Sequence, residues 1–131
     1  MTNTIRTALN REESIIKDDI LRMGSMVESA IDRSIAALKQ RDAALAQQII
    51  DDDKKVNQLR FKIEEECIAL IATQAPTAGD LRAVIGATHI AVELERMGDH
   101  ATGIAKITLR MLDQPLLKPL IDVPIMAGVV K

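Results

Sequence analysis

The chain has 131 residues, of which 47% are hydrophobic and 27% charged, so its composition is that of one globular domain with its own core. Aromatic residues make up only 1% and the net charge is −2, which argues against base stacking and against the basic stripe of a nucleic-acid-binding protein. The core must therefore come from Ile, Leu, Val, Ala and Met, a set of residues typical of helices.

The sequence lacks the features that are typical of secreted and membrane proteins. Cys67 is the only cysteine, so no intrachain disulfide can form, and this favours a reducing cytoplasm. The N-terminal residues do not resemble a signal peptide. No apolar run approaches the ~20 residues that a membrane span needs. We therefore expect a cytoplasmic protein with neither membrane insertion nor nucleic-acid binding.

The first predicted helix covers about residues 10–39. Asn10 and Glu13 have the spacing of a capping box, which predicts that the helix begins there. Gly24 is the single interruption of the pattern, and we interpret it as a point of close packing between helices rather than as a break in the helix. The apolar residues recur at steps of three and four and trace one face of the helix. They are Ile16, Ile20, Met23, Val27, Ile31, Ile35 and Leu38.

The second predicted helix begins after Asp42, a good N-cap residue, and runs to about Gln74. Its apolar stripe consists of Leu45, Ile49, Val56, Leu59, Ile63 and Leu70. The stripe skips one turn between Ile49 and Val56, and the residue on the seam at that point is Asp53. A carboxylate is thus predicted on a face that is otherwise apolar.

The third predicted helix follows Pro76, with Thr77 as its N-cap and Asp80 as the capping-box partner. The residues that we assign to its apolar seam are Leu81, Ile85, Thr88 and Val92. The same spacing of three and four residues continues to Glu95 and Asp99. Two more carboxylates are therefore predicted on a face expected to be apolar.

Short linkers join the three predicted helices, which predicts an all-α, up-down-up three-helix bundle. Prolines after Leu112 prevent a simple continuation of the third helix. We divide the chain into a three-helix domain, residues 1–113, and a segment, residues 114–131, that reads as a linker and the start of an incomplete second repeat. This segment is apolar without an evident partner, which predicts a homodimer or larger homo-oligomer.

Folding the second and third helices about their connecting turn predicts one polar layer. Residues equally far from the turn lie at the same level, which pairs Asn57 with Glu95 and Asp53 with Asp99. Glu28 of the first helix comes to roughly the same level. Carboxylates gathered in this way need a positive counterpart if they are buried, because an unpaired buried charge is costly.

Three arrangements can compensate these charges. A multivalent cation can be held by oxygen ligands, Arg60 or Arg96 can form ion pairs, or the layer can be exposed. Glu95 and Asp99 lie one turn apart, a spacing that presents two oxygen ligands to one ion. Such ligands suit magnesium, manganese or ferric iron, and zinc also accepts carboxylates.

Other reactive residues give weaker signals. His89 and His100 do not form the Glu-x-x-His pattern of di-iron bundles. Cys67 lies near an apolar stripe and is expected to be a buried, inert thiol. Neither a Gly-rich phosphate loop nor a Ser/His/Asp arrangement can be singled out. The sequence therefore identifies neither a general base nor a substrate pocket.

Two segments at the start and in the middle of the third predicted helix have a distinctive sequence. They are residues 74–82, with the sequence QAPTAGDLR, and residues 93–101, with the sequence ELERMGDHA. Both resemble the third helix of PhoU proteins, the accessory regulators of the phosphate-specific transport system. The second helix agrees at residues 53–57 (DKKVN), and the first agrees at residues 23–28 (MGSMVE). The resemblance extends in order over about residues 10–112.

The resemblance implies two tandem three-helix repeats, of which this chain holds the first and the opening residues of the second. It implies metal binding through Glu/Asp-x-x-x-Asp motifs, here Glu95 and Asp99, faced by an acidic-Asn element, here Asp53 and Asn57. It also implies repression of phosphate-starvation genes through contacts with the transporter ATPase subunit and the membrane sensor kinase. Catalytic activity is not established for the family.

The function expected from these observations is a non-enzymatic regulator of phosphate uptake and phosphate-starvation signalling, with a bound metal ion. Two alternatives stay open. A metal-dependent, hydrolase-like enzyme would use the acidic layer to activate water. A metal-free helical adaptor would instead neutralise the layer with arginines.

Overall fold

The computed structural model describes residues 2–112, with side chains from residue 6 onward. It contains α1 (Thr2–Gln40), α2 (Ala43–Thr73) and α3 (Ala78–Arg110), and each helix packs against the other two. Short turns join them, so the helices run up, down and up. The expected all-α three-helix bundle is confirmed. The predicted segment 114–131, with the association expected from it, lies outside the described residues.

The predicted starts of α2 and α3 are confirmed by their caps. Asp42 Oδ1 accepts a hydrogen bond from the Leu45 N–H at 3.1 Å. At α3, the Asp80 N–H donates to Thr77 Oγ1 at 3.2 Å, and the Thr77 N–H donates to Asp80 Oδ2 at 3.0 Å. This reciprocal pair is the capping box that the sequence predicts.

The predicted start of α1 is wrong. The helix begins at Thr2, so Asn10 and Glu13 lie inside it. Contacts with α3 extend the helix: Leu9 is buried in the core, and Arg6 Nη1 lies 2.7 Å from Asp80 Oδ2. Tertiary packing of this kind outweighs a local capping signal.

The core lies along the axis of the bundle, and the stripe predicted for α2 supplies much of it. One larger cluster of buried apolar side chains consists of Leu9, Ile16, Met23, Val27, Val56, Leu59, Ile63, Cys67, Leu70, Val84 and Ala91. A smaller cluster near the α1–α2 turn consists of Ala37, Ala46, Ile49 and Ala105. Among residues 2–112, no helix is long and apolar enough to cross a membrane.

The predicted apolar seam of α3 is displaced by about one residue. Leu81 and Ile85 are exposed, at 36% and 45% of their surface. The buried residues of this helix are mostly small and comprise Asp80, Val84, Ala91, Gly98, Ala101, Thr102, Ala105 and Thr108. Small side chains let α3 approach α1 and α2 closely, whereas the prediction followed the large ones. Glu95 and Asp99 consequently lie at the edge of the packed face.

The point of close approach is Gly98, and the interpretation of Gly24 is wrong. A Cβ added at Gly24 would have no atom within 4 Å. A Cβ added at Gly98 would lie 3.5 Å from Asp53 Oδ1, 3.6 Å from Val56 Cγ1 and 3.8 Å from Val27 Cγ2. Gly98 therefore brings α3 against the other two helices at the level of the predicted polar layer.

Candidate acidic site between the second and third helices

The structure brings Asp53 of α2 together with Glu95 and Asp99 of α3. The pKa of Asp53 is raised, first by burial and then by the negative charge of Asp99 and Glu95. A hydrogen bond with Thr102 and the charge of Lys106 act in the opposite direction. The level pairing of Asp53 with Asp99, predicted by counting from the turn, agrees with this placement.

The three carboxylates differ in exposure because of their positions on the helices. Asp53 is half-buried against the backbone of Gly98, while Asp99 is exposed. Glu95 is half-buried, with 21% of its side chain accessible. The site is therefore the surface at the contact of α2 and α3 that carries Asp53, Glu95 and Asp99, here called the acidic groove, and Asp53 is its desolvated carboxylate.

Arg60 supplies positive charge to this layer. Its Nη1 atom lies 2.8 Å from Glu95 Oε2, and its Nη2 atom lies 3.0 Å from Glu64 Oε1. Arg96, the other arginine considered from the sequence, pairs with Glu93, and both side chains of that pair are largely exposed. Of the two arginines, Arg60 is thus the counter-charge within the layer.

Asn57 lies one turn after Asp53 and contributes an unusual oxygen. Its Oδ1 atom is buried and has no hydrogen-bond donor among the described residues. Leaving a buried acceptor unpaired costs on the order of 1–3 kcal/mol. A cation or a water molecule bound at this point would remove that cost.

The remaining sequence candidates are either exposed on a helix surface or buried in the core. Glu28 is exposed on α1 and is not among the groups that act on Asp53. His89 and His100 are exposed on α3. Cys67 is buried, and burial raises the pKa of its thiol to about 11. The expectation of a buried thiol is confirmed, and its raised pKa supports the expectation that it is inert.

The acidic layer does not by itself enclose a metal ion. Within residues 2–112, no three His, Cys, Asp or Glu side chains are arranged to hold one. The charge of Asp99 acts on Asp53, but Glu95 is held by Arg60. A metal-bound state therefore requires Glu95 to leave Arg60, or it uses two carboxylates with other oxygen ligands.

A pocket of about 310 Å³, lined by Asp53 and other residues of α1 and α2 and by Thr102 of α3, was missed by the sequence analysis. Ser25, Ser29 and Arg33 line it from α1, and Arg33 Nη1 lies 3.1 Å from Asp52 Oδ2. Periodicity assigns these polar residues only to a solvated face. Their convergence depends on the register between α1 and α2, which the sequence pattern leaves open.

The sequence matches a known family and several of its named members. Residues 20–108 match the family described as the PhoU domain. A protein of Aquifex aeolicus, named phosphate-specific transport system accessory protein PhoU homolog, is 37% identical over 123 residues, covering 94% of this chain and 56% of that protein. The accessory protein PhoU of Escherichia coli (strain K12) is 39% identical over 111 residues, covering 82% of this chain and 46% of that protein.

The chain also matches solved structures of PhoU proteins. The crystal structure of PhoU from Pseudomonas aeruginosa matches with a TM-score of 0.88 at 30% identity, covering 92% of this chain and 58% of that one. The phosphate transport system regulatory protein PhoU from Streptococcus pneumoniae matches with a TM-score of 0.78 at 34% identity, covering 84% of this chain and 52% of that one. The chain spans about half the length of the curated relatives it matches.

Proposed function

Because this chain belongs to the PhoU family, we propose that it is a non-enzymatic regulatory module of phosphate uptake and phosphate-starvation signalling. The observation that carries the proposal is the match over residues 20–108, together with relatives named as accessory proteins of phosphate transport. The family resemblance expected from the ERMGD segment is confirmed by these comparisons.

The module acts through protein contacts in the cytoplasm, and its partners are the ATPase subunit of the phosphate transporter and a membrane sensor kinase. Exposed apolar side chains support a role in binding, since such surface favours association. On α2 and α3 they include Phe61, Ile68, Ile85, Ile90 and Ile107. The same surface supports self-association as a homo-oligomer. The free, buried Cys67 supports this compartment.

A metal ion is part of the proposed function, and the donor types of the acidic layer fit a hard cation. Asp53 and Asp99 supply carboxylate oxygens, Asn57 supplies a buried carbonyl oxygen without a donor, and Glu95 joins after releasing Arg60. Oxygen ligands of this kind suit magnesium, manganese or iron, with zinc as a further candidate. The bound ion would neutralise the repelling carboxylates and stiffen the groove.

The Arg60–Glu95 pair favours the metal-free helical adaptor as the second candidate, because the arginine already compensates one carboxylate. The two candidates make different predictions for metal analysis. A purified protein that retains no ion after dialysis, and whose partner binding is unchanged by chelator, would favour the adaptor.

Regulatory function is tested in a bacterium that lacks its own accessory protein and carries a phosphate-starvation reporter. Expression of this chain is expected to restore repression in phosphate-rich medium. Direct binding of the purified chain to the ATPase subunit, measured by calorimetry, tests the proposed contact. Unrestrained reporter expression together with an absence of binding to either partner would contradict the proposal.

A further inference from the structure

A second pair of carboxyl groups meets on the opposite side of α2, at its contact with α1. Asp19 of α1 is buried, with 7% of its surface accessible. Glu66 of α2 lies close enough for the charge of Asp19 to act on it, and both Glu66 carboxyl oxygens are buried without a hydrogen-bond donor among the described residues. Neither residue belongs to the acidic layer between α2 and α3.

One cation serves both carboxyl groups. Lys62 Nζ lies 3.2 Å from Asp19 Oδ2 and 3.7 Å from Glu66 Oε1. If both carboxyl groups were ionised, one negative charge would be left uncompensated in a poorly solvated contact. That arrangement is costly, and a shared proton removes the cost.

The other groups around Glu66 do not supply a second positive charge. From α1, Glu12 lines the same shallow pocket of about 200 Å³, and its Oε1 accepts a hydrogen bond from Gln74 Nε2. From α2, Cys67 is the neighbouring titratable group. No charged residue of α3 within the described residues acts on Glu66.

The electrostatics of Glu66 agree with this count of charges. Burial is the largest cause that raises the pKa of Glu66 to about 7, and the nearby Asp19 carboxyl group adds to the rise, while Lys62 opposes it. A carboxyl group with an ordinary pKa would be ionised at neutrality.

We propose that Asp19 and Glu66 share one proton across the α1–α2 contact and form a pH-sensitive latch. With the proton bound, the carboxyl pair and Lys62 hold α1 against α2. When the proton is lost to solvent, two carboxylates face each other with one ammonium group between them, and the contact weakens. The device requires neither a metal ion nor a partner.

The sign of the pH dependence follows from the proton balance. The folded protein keeps the Glu66 proton over a range in which the unfolded chain has lost it, so stability falls as pH rises from about 4.5 towards about 7. The contribution is fully present below that range and is lost above it. Acidification from neutrality therefore tightens the α1–α2 contact.

The test compares melting temperature against pH for the full chain and two isosteric variants. We expect the melting temperature of the wild type to fall by on the order of 5 °C between about pH 5.5 and about pH 8. Glu66→Gln should abolish most of this loss, because its amide cannot ionise. Glu65→Gln, an exposed neighbour on the same helix, should keep the wild-type profile.

NMR of the carboxyl carbons in the wild type measures the titration of Glu66 directly, and this test does not depend on whether Glu66→Gln folds. Glu66 is expected to titrate near neutrality, and Asp19→Asn should move its midpoint back towards that of ordinary glutamate. A wild-type Glu66 that titrates in the ordinary range overturns the proposal, and so does a Glu66→Gln profile that matches the wild type. A midpoint unchanged by Asp19→Asn also overturns it, because burial alone would then explain the shift.

Discussion

The Asp53 carboxylate of α2 packs against the bare backbone of Gly98 on α3, with Oδ1 3.5 Å from the position that a Cβ would occupy. This contact explains two properties of the acidic groove. It lets α3 approach α2 at this level, and it removes water from one side of the carboxylate, so that burial is the largest cause of the raised Asp53 pKa. The close approach at Gly98 therefore leaves room for a small side chain and not for a large one.

A large side chain at Gly98 should disrupt this contact. Gly98→Leu is expected to destabilise the fold by about 1–3 kcal/mol, because the added atoms overfill the space beside Asp53 and Val56. Gly24→Leu is the matched control. An added Cβ at Gly24 meets no atom within 4 Å, and replacing a mid-helix glycine with leucine favours the helix. Urea unfolding measures both variants, and equal losses at the two positions would contradict the assignment of Gly98 as the contact point.

The arginine in the acidic layer offers a second test. Arg60→Met removes the partner of Glu95 and leaves that half-buried carboxylate near Asp53. We expect a destabilisation of about 1–2 kcal/mol, because one partner of a partly buried ion pair is left alone. Arg96→Met removes only an exposed pair with Glu93 and should change the free energy of unfolding by less than about 0.5 kcal/mol. Comparable effects of the two variants would argue against a counter-charge role for Arg60.

The sequence predicts those helix boundaries that depend on local interactions and misses those that depend on contacts between helices. Long periodic segments and local caps predict α2 and α3 well, since Asp42, Thr77 and Asp80 act within a few residues of their own position. The start of α1 could not be predicted in that way, because Arg6 and Leu9 are held by partners on other helices. The seam of α3 was misplaced because small residues pack there and large ones face solvent.

The candidate site likewise has features that the sequence predicts and features that it does not. Counting from the α2–α3 turn brings Asp53 level with Asp99, because two antiparallel helices share one rise per residue. Whether Arg60 or Arg96 pairs with a carboxylate of the layer depends on the direction of each side chain. Counting residues from the α2–α3 turn does not give that direction. The contact between Asp19 and Glu66 depends on the register of α1 against α2, and the sequence carries no marker for it.

The N-terminus of α3 should be sensitive to its cap and to acid. Thr77→Ala removes the side-chain acceptor of the Asp80 N–H and is expected to cost about 1 kcal/mol. Thr73→Ala, an exposed threonine at the end of α2, should cost less and serves as the control. Thermal unfolding at neutral pH measures both. A loss at Thr73 equal to that at Thr77 would contradict the capping role.

The acid response at this cap has a defined sign. The hydrogen bond from Arg6, and then those from Thr77, hold the pKa of Asp80 well below its usual range. Its contribution to stability is therefore present above the unfolded pKa and is lost as pH falls below it. Asp80→Asn should lower the melting temperature at neutral pH and flatten the decline below about pH 4. An unchanged acid limb in this variant would exclude Asp80 as its source.

Metal binding at the acidic groove is tested by removing the ion and its ligands in turn. If a cation bridges Asp53 and Asp99, chelator should lower the melting temperature of the wild type, and added manganese or magnesium should restore it by mass action. The double variant Glu95→Gln, Asp99→Asn should lose this response while circular dichroism shows that its helices are kept, because both replacements are nearly isosteric. Arg60→Met provides the opposite change: it frees Glu95 from its ion pair, so its metal response should be larger than that of the wild type. Identical melting curves with chelator and with excess metal, for wild type and Arg60→Met alike, would mean that no cation binds the acidic layer.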